Sequence, residues 1–258
     1  SMHLSWPYKH AVSGPFPLVL LVLLAGAAGL VFAPHVPLLI HYWNADDYSY
    51  CYLVPFMSAF LLWDQRERWQ GIAVMPSWQG LLFLVPAALL ALAGKLGALN
   101  ILVNGGMWLA LIGVVLTAAG PRFTRAIWFP LAVLLFAIPA PPLLTRTLVV
   151  ELRLFSTTMA TELLHLMGVS VFQEGNILDL GLTRLEVVDA CSGLRYLAPT
   201  VLTTLIAAYL FNRAWWARLG VALFGPVLAV LSNVVRILII ALLTKYVSVD
   251  FAGDTPHS

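Results

Sequence analysis

Apolar positions run along this chain in long uninterrupted blocks rather than in the alternation of a soluble sheet or the stripe of a surface helix. A helix that crosses a bilayer needs about 20 mainly apolar residues. By that measure the pattern predicts seven spans: Pro17–Ile40, Tyr48–Trp63, Trp78–Gly94, Leu96–Ala119, Arg125–Ile138, Ser192–Leu210 and Leu219–Leu243. The second and fifth are short, as tilted or partly re-entrant segments are. The first lacks a small-x-small cleavage site and more spans follow it, so it reads as a true helix and not a signal peptide.

Between the fifth and sixth spans lies the one long stretch of different character. Pro139-Ala140-Pro141-Pro142 ends the fifth span. Leu143–Met167 then has helical periodicity, with Thr147, Glu151, Thr158, Glu162 and His165 on one stripe. It reads as an amphipathic helix in the outer interface, its polar stripe toward water or a cavity. Val171–Val188 carries Gly175-Asn176 and Gly181 between short apolar runs, the mark of a small β-hairpin or meander. The expected fold is therefore an all-α polytopic membrane protein, a single domain over residues 1–258, with a small β element leading into the sixth span.

Composition agrees. Of 258 residues, 61% are hydrophobic and only 10% are charged, and the mean hydropathy is +0.91. Soluble domains carry about 25% charged residues. A net charge of +2 implies no nucleic acid or other polyanionic partner, and two cysteines exclude a disulfide scaffold. Basic residues set the orientation. With the N-terminus inside, Lys9, Arg66, Arg68, Arg122, Arg125, Arg213 and Arg218 face the cytoplasm beside two acids, Asp64 and Glu67; the other seven basic residues sit with ten acids. The 140–191 region and the 244–258 tail then lie outside.

Four side chains are candidates for chemistry. Cys191 stands where the β element gives way to a helix. The positive end of the helix dipole lowers a thiol's pKa there, and free N–H groups of the first turn, around Ser192 and Gly193, can hold an oxyanion. A packing thiol is the equal alternative. Arg236 lies seven residues from the outer end of its span, roughly 10 Å deep, where a charge normally faces a cavity or a partner. Asn233 shares its face. An Arg snorkelling to the headgroups is the competing reading. His257 can take a proton from Cys191, although a solvated loop histidine fits the position as well. Arg195, four residues after Cys191, shares its helix face and can contact an oxyanion or carboxylate, or pair with Asp189 or a lipid phosphate. Glu162 and His165 lack the further ligands that a metal site needs, so no metal or other cofactor is expected. Cys51 reads as a packing thiol, or as a disulfide partner of Cys191 that would remove the nucleophile.

These residues resemble a known group. Trp43-Asn-Ala-Asp-Asp-Tyr-Ser-Tyr with Leu53-Val54-Pro55 and Leu62-Trp63 resembles the early motif of bacterial exosortases. Gly175-Asn176, Leu185-Glu186-Val187 and Ala190-Cys191-Ser192-Gly193-Leu194-Arg195 resemble their cysteine motif. Asn233-Val234-Val235-Arg236-Ile237 resembles their arginine motif, and His257 falls 21 residues beyond Arg236, about where their histidine does. The resemblance implies a membrane cysteine transpeptidase of the exosortase/archaeosortase group, with Cys191 as nucleophile, Arg236 as oxyanion stabiliser and His257 as general base and acid. Arg195 matches the end of the cysteine motif. The implied partners are exported proteins with a C-terminal sorting signal: a short motif such as Pro-Glu-Pro, a transmembrane helix and a basic tail. The implied setting is the inner membrane of exopolysaccharide-producing Gram-negative bacteria, with the site on the periplasmic side. Family members usually continue past this His with an eighth span, a departure at the C-terminus. Two other classes stay open. One is an anion or small-molecule transporter built on Arg236 and Asn233. The other is a non-catalytic assembly factor of a polysaccharide machine.

Overall fold

The computed structural model describes residues 15–181, 183–187, 194–211 and 214–253. The chain is mostly helical with one small sheet, and its contacts fall into two compact units, 1–139 and 140–258.

In the first unit, α1 (Phe16–Phe32) passes through a 3-10 turn at Ala33–His35 into α2 (Val36–Trp43). The turn carries Pro34, and the carbonyl of Val31 beside it accepts from Lys95 Nζ at 2.9 Å. His35 Nε2 donates to Asn104 Oδ1 at 2.8 Å. A 3-10 segment, Asp46–Tyr52, leads into α3 (Leu53–Asp64), and α4 (Arg66–Gln70) follows. The long helices α5 (Leu81–Leu96) and α6 (Asn100–Ala119) form an antiparallel pair. Glycines set how near they come. A Cβ on Gly106 would lie 2.9 Å from the carbonyl oxygen of Ala87, and one on Gly113 would lie 2.7 Å from Leu84 Cγ. Small residues of this kind drive helix association where lipid is as apolar as the side chains. Gly120, at φ +88°, turns the chain out of α6 against the Met75 carbonyl, a conformation that favours glycine. The short helices α7 (Pro121–Ala126) and α8 (Trp128–Val133) then lead to a 3-10 turn, Leu134–Ala137.

The second unit begins with α9 (Pro142–Leu166). Three short strands follow: β1 (Phe172–Glu174), β2 (Ile177–Asp179) and β3 (Arg184–Glu186). They pair antiparallel in the order β1-β2-β3, the meander of the two expected forms. Then come α10 (Leu194–Phe211) and α11 (Trp215–Gly253). Ala160 and Leu164 of α9, Leu178 and Val187 of the sheet region, and Val234, Ile237 and Ala241 of α11 share one buried core.

Four helical stretches among the described residues are long and apolar enough to cross a membrane: Phe16–Trp43, Trp78–Leu96, Asn100–Ala119 and Trp215–Val247. Counting the interrupted pair Trp128–Ala137 and Pro142–Leu166 as one span gives five. The seven-span count is not confirmed among the described residues, and the difference lies at three of the expected spans. Pro55 and Pro130 supply no N–H, so each sits in the first turn of a fresh helix instead of inside a long one. The expected span Tyr48–Trp63 is a 3-10 segment followed by the 12 residues of α3. The expected span Arg125–Ile138 is broken at Ile127 and again at Leu134. The expected span Ser192–Leu210 corresponds to α10, whose described apolar stretch is a shorter helix. The carbonyls freed in the broken 127–138 segment are taken up by side chains. Ser58 Oγ donates to Pro130 O at 2.8 Å, Trp108 Nε1 to Leu131 O at 2.8 Å and Trp43 Nε1 to Ala137 O at 2.8 Å. Irregular backbone is tolerated at membrane depth on that condition.

The expected amphipathic helix forms as α9. Its stripe of Thr147, Glu151, Thr158, Glu162 and His165 is exposed, as the periodicity predicts. Its opposite face, Ser156, Thr157, Ala160, Thr161 and Leu164, is buried. The Asn233–Ser156 hydrogen bond and a core shared with Val234, Ile237 and Ala241 pack this face of α9 against α11. Small side chains permit that close contact.

Candidate active site

The α10–α11 pair is antiparallel, since Thr204 faces Gly225 while Tyr196 and Thr200 share a groove with residues further along α11. That groove holds about 380 Å³. Leu228 and Ala229 give it an apolar side. Tyr196, Thr200, Ser232, Asn233 and Arg236 give it hydroxyl, amide and guanidinium groups. Arg236 is exposed and lines the groove.

Asn233, one turn before Arg236, is 4% exposed, and its Nδ2 donates at 3.0 Å to Ser156 Oγ, itself 1% exposed. The Asn233 amide thus ties α11 to α9, one turn from the side chain that lines the groove. Ser156 was invisible to motif reasoning. Its signal was the small-residue face of α9. Tyr196, Thr200 and Ser232 were also missed, although the four-residue step from Tyr196 to Thr200 marks one helix face.

The first turn of α10, Leu194–Tyr196, is level with the Asn233–Arg236 turn of α11. Arg195 belongs to that turn. Cys191, Ser192 and Gly193 lie outside the described residues, as does His257. The segment that carries Cys191 is bounded on both sides. Val187 is buried in the core with Ile237 and Ala241, and its N–H donates to Asn176 O at 2.8 Å while its carbonyl accepts from Asn176 Nδ2 at 3.1 Å. Leu194 opens α10 on the other side. Beyond Arg236, α11 continues unbroken to Gly253, a rise of about 26 Å.

A family model described as transmembrane exosortase matches residues 42–258. The chain belongs to the transmembrane exosortase family. Membership carries a membrane transpeptidase role in general terms. It also accounts for the apolar helices. Searches of curated proteins and of solved structures give no match.

Other candidate residues have structural uses in this exosortase. Cys51 is a free, fully buried thiol whose S–H donates to Phe136 O at 3.4 Å. His165 Nε2 donates to Val171 O at 2.7 Å and closes the turn from α9 into β1. Asp179 accepts from the Gly181 N–H at 2.9 Å and from Arg184 Nε at 3.1 Å. These bonds, the Gly181 amide foremost, hold its carboxyl below the usual carboxylate range.

Proposed function

We propose that this exosortase cleaves the C-terminal sorting signal of exported proteins through a thioester on Cys191. The Cys191 thiolate attacks the scissile carbonyl carbon, and the carbon–nitrogen bond breaks as the leaving amine takes a proton from His257. The acyl group stays on sulfur until a second amine or water attacks it and restores the thiol. Arg236 donates hydrogen bonds to the oxyanion of each tetrahedral intermediate, and the N–H groups of Ser192 and Gly193 assist. Arg195 contacts the substrate beside them.

The observation that carries this reading is the position of Arg236. It lines the groove between α10 and α11, level with the start of α10. Cys191 precedes Leu194 by three residues, so chain length holds its Cα within about 11 Å of that turn. The other end of the same segment is anchored at Val187, in the buried core to which Ile237 and Ala241 of α11 also belong. A sorting helix that approaches from the lipid would present its scissile bond at this level, with its basic tail toward the cytoplasm. The charge bias puts this level on the periplasmic side of an inner membrane, where exported proteins linked to exopolysaccharide display are met. His257 rests on its motif position alone, because α11 carries the chain away from Arg236 as far as Gly253.

The test is processing of a sorting-signal protein in cells that make each variant at wild-type levels. Cys191→Ala and Arg236→Gln abolish cleavage, and His257→Ala slows it by about 100-fold or more, the scale of a lost general base. Unchanged processing by Cys191→Ala refutes the proposal.

A further inference from the structure

The first unit carries a groove of about 470 Å³ that the reaction does not use. It lies along α6 from Leu116 to Trp108, with Phe83 of α5 on one side and Trp128 and Leu131 of α8 on the other. Its length along α6 is about 12 Å by helical rise. The Trp108 indole, bonded to Leu131 O at 2.8 Å, closes the deep end without offering a free donor. The other end differs. There Gln79, Thr124 and Arg125 form a polar mouth beside the α6–α7 turn. Thr124 spends its hydroxyl on Gly120 O at 2.9 Å. Arg125 is exposed, and among the described residues it has neither an ion pair nor a hydrogen bond. No acidic side chain lines the groove.

We infer that this groove is a binding site for one acyl chain of an anionic glycerophospholipid, with the lipid phosphate on the Arg125 guanidinium. The walls match a hydrocarbon chain and nothing polar. The uncompensated cation stands where those walls end, which is headgroup level for a chain lying in the groove. Guanidinium groups bind phosphate bidentately, and basic pockets between membrane helices select anionic headgroups. A zwitterionic lipid brings its own cation to the same place and gains less. A neighbouring groove of about 420 Å³, between α1 and α7, has comparable size but only apolar residues around it, among them Leu18, Leu21, Val115 and Phe123. It is ordinary lipid contact with no headgroup preference, and it marks Arg125 as the feature that makes the first groove selective.

The experiment is native mass spectrometry of the full chain in a non-ionic detergent, with phosphatidylglycerol or phosphatidylcholine added at equal concentration. The wild type retains phosphatidylglycerol about tenfold better, the low end of a charge-assisted hydrogen bond. Arg125→Gln brings the two lipids to within about twofold of each other. Arg122→Gln, which removes the same charge outside the groove lining, leaves the preference in place. Ala132→Phe, which fills the groove, lowers phosphatidylglycerol retention with Arg125 intact. Equal retention of both lipids by the wild type, an unchanged preference in Arg125→Gln, or a lipid-free dimer through this face would each overturn the inference.

Discussion

Asn233 of α11 hydrogen-bonds Ser156 of α9 at 3.0 Å, one helical turn from Arg236, which lines the α10–α11 groove. Both partners are buried, so the bond acts as a pin between α11 and α9. Ser156→Ala removes this buried hydrogen bond and destabilises the protein by about 1–2 kcal/mol. It also lowers processing of a sorting-signal protein without touching substrate. Thermal unfolding in detergent measures the first effect. An unchanged midpoint and unchanged processing would show that the pin is idle.

Adjacent glycines on α6 make a sharper test of packing. A Cβ on Gly105 meets nothing within 4 Å, whereas one on Gly106 falls 2.9 Å from the Ala87 carbonyl. Gly105→Ala is expected to be neutral or to stabilise by about 0.5–1 kcal/mol through backbone entropy. Gly106→Ala forces α5 and α6 apart and costs about 1–3 kcal/mol. The two unfolding midpoints, compared under one set of conditions, check the contrast. Equal shifts would mean that the close approach is not there.

Asp179 supplies a pH dependence outside the membrane. Its carboxyl is held below its ordinary range by the Gly181 amide and then by Arg184. A lowered folded-state pKa means that the contribution is fully present above the unfolded value of about 3.9 and is lost as pH falls through the folded value. The side chain is in contact with solvent, so the effect on stability is small. Carboxyl carbon shifts of Asp179 followed by NMR titration are expected to give a midpoint below about 3.9. A midpoint at or above that value would contradict the turn geometry.

What the sequence made legible follows from which signals are local. Blocks such as Asn100–Ala119 and Trp78–Leu96 are long, apolar and bounded by turns, and they fold as read. The polar stripe of α9 is exposed as its periodicity predicts. The failures came where a distant group changes the local outcome. The Arg125–Ile138 segment is apolar enough to span, yet it breaks because Pro130 restarts the helix and Ser58, Trp108 and Trp43 wait with donors for the freed carbonyls. None of those partners is near it in sequence. For α9 the charged stripe drew attention, and the Ser-Thr-Ala face that settles it alongside α11 went unread. At the candidate site, Arg236 was legible because a charge in an apolar run is rare. Tyr196, Thr200 and Ser232 were not, because hydroxyls in helices are common and only the α10–α11 register gathers them.

The central claim is that Cys191 forms the covalent intermediate. It is tested most directly by incubating the full-length exosortase with a sorting-signal protein, quenching in acid and mapping the modified peptide by mass spectrometry. The account predicts an acyl group on the Cys191 sulfur that hydroxylamine removes, formed more slowly in His257→Ala and absent from Cys191→Ala. Cleaved substrate together with an unmodified Cys191 at every time point, or an adduct on Cys51, would contradict it.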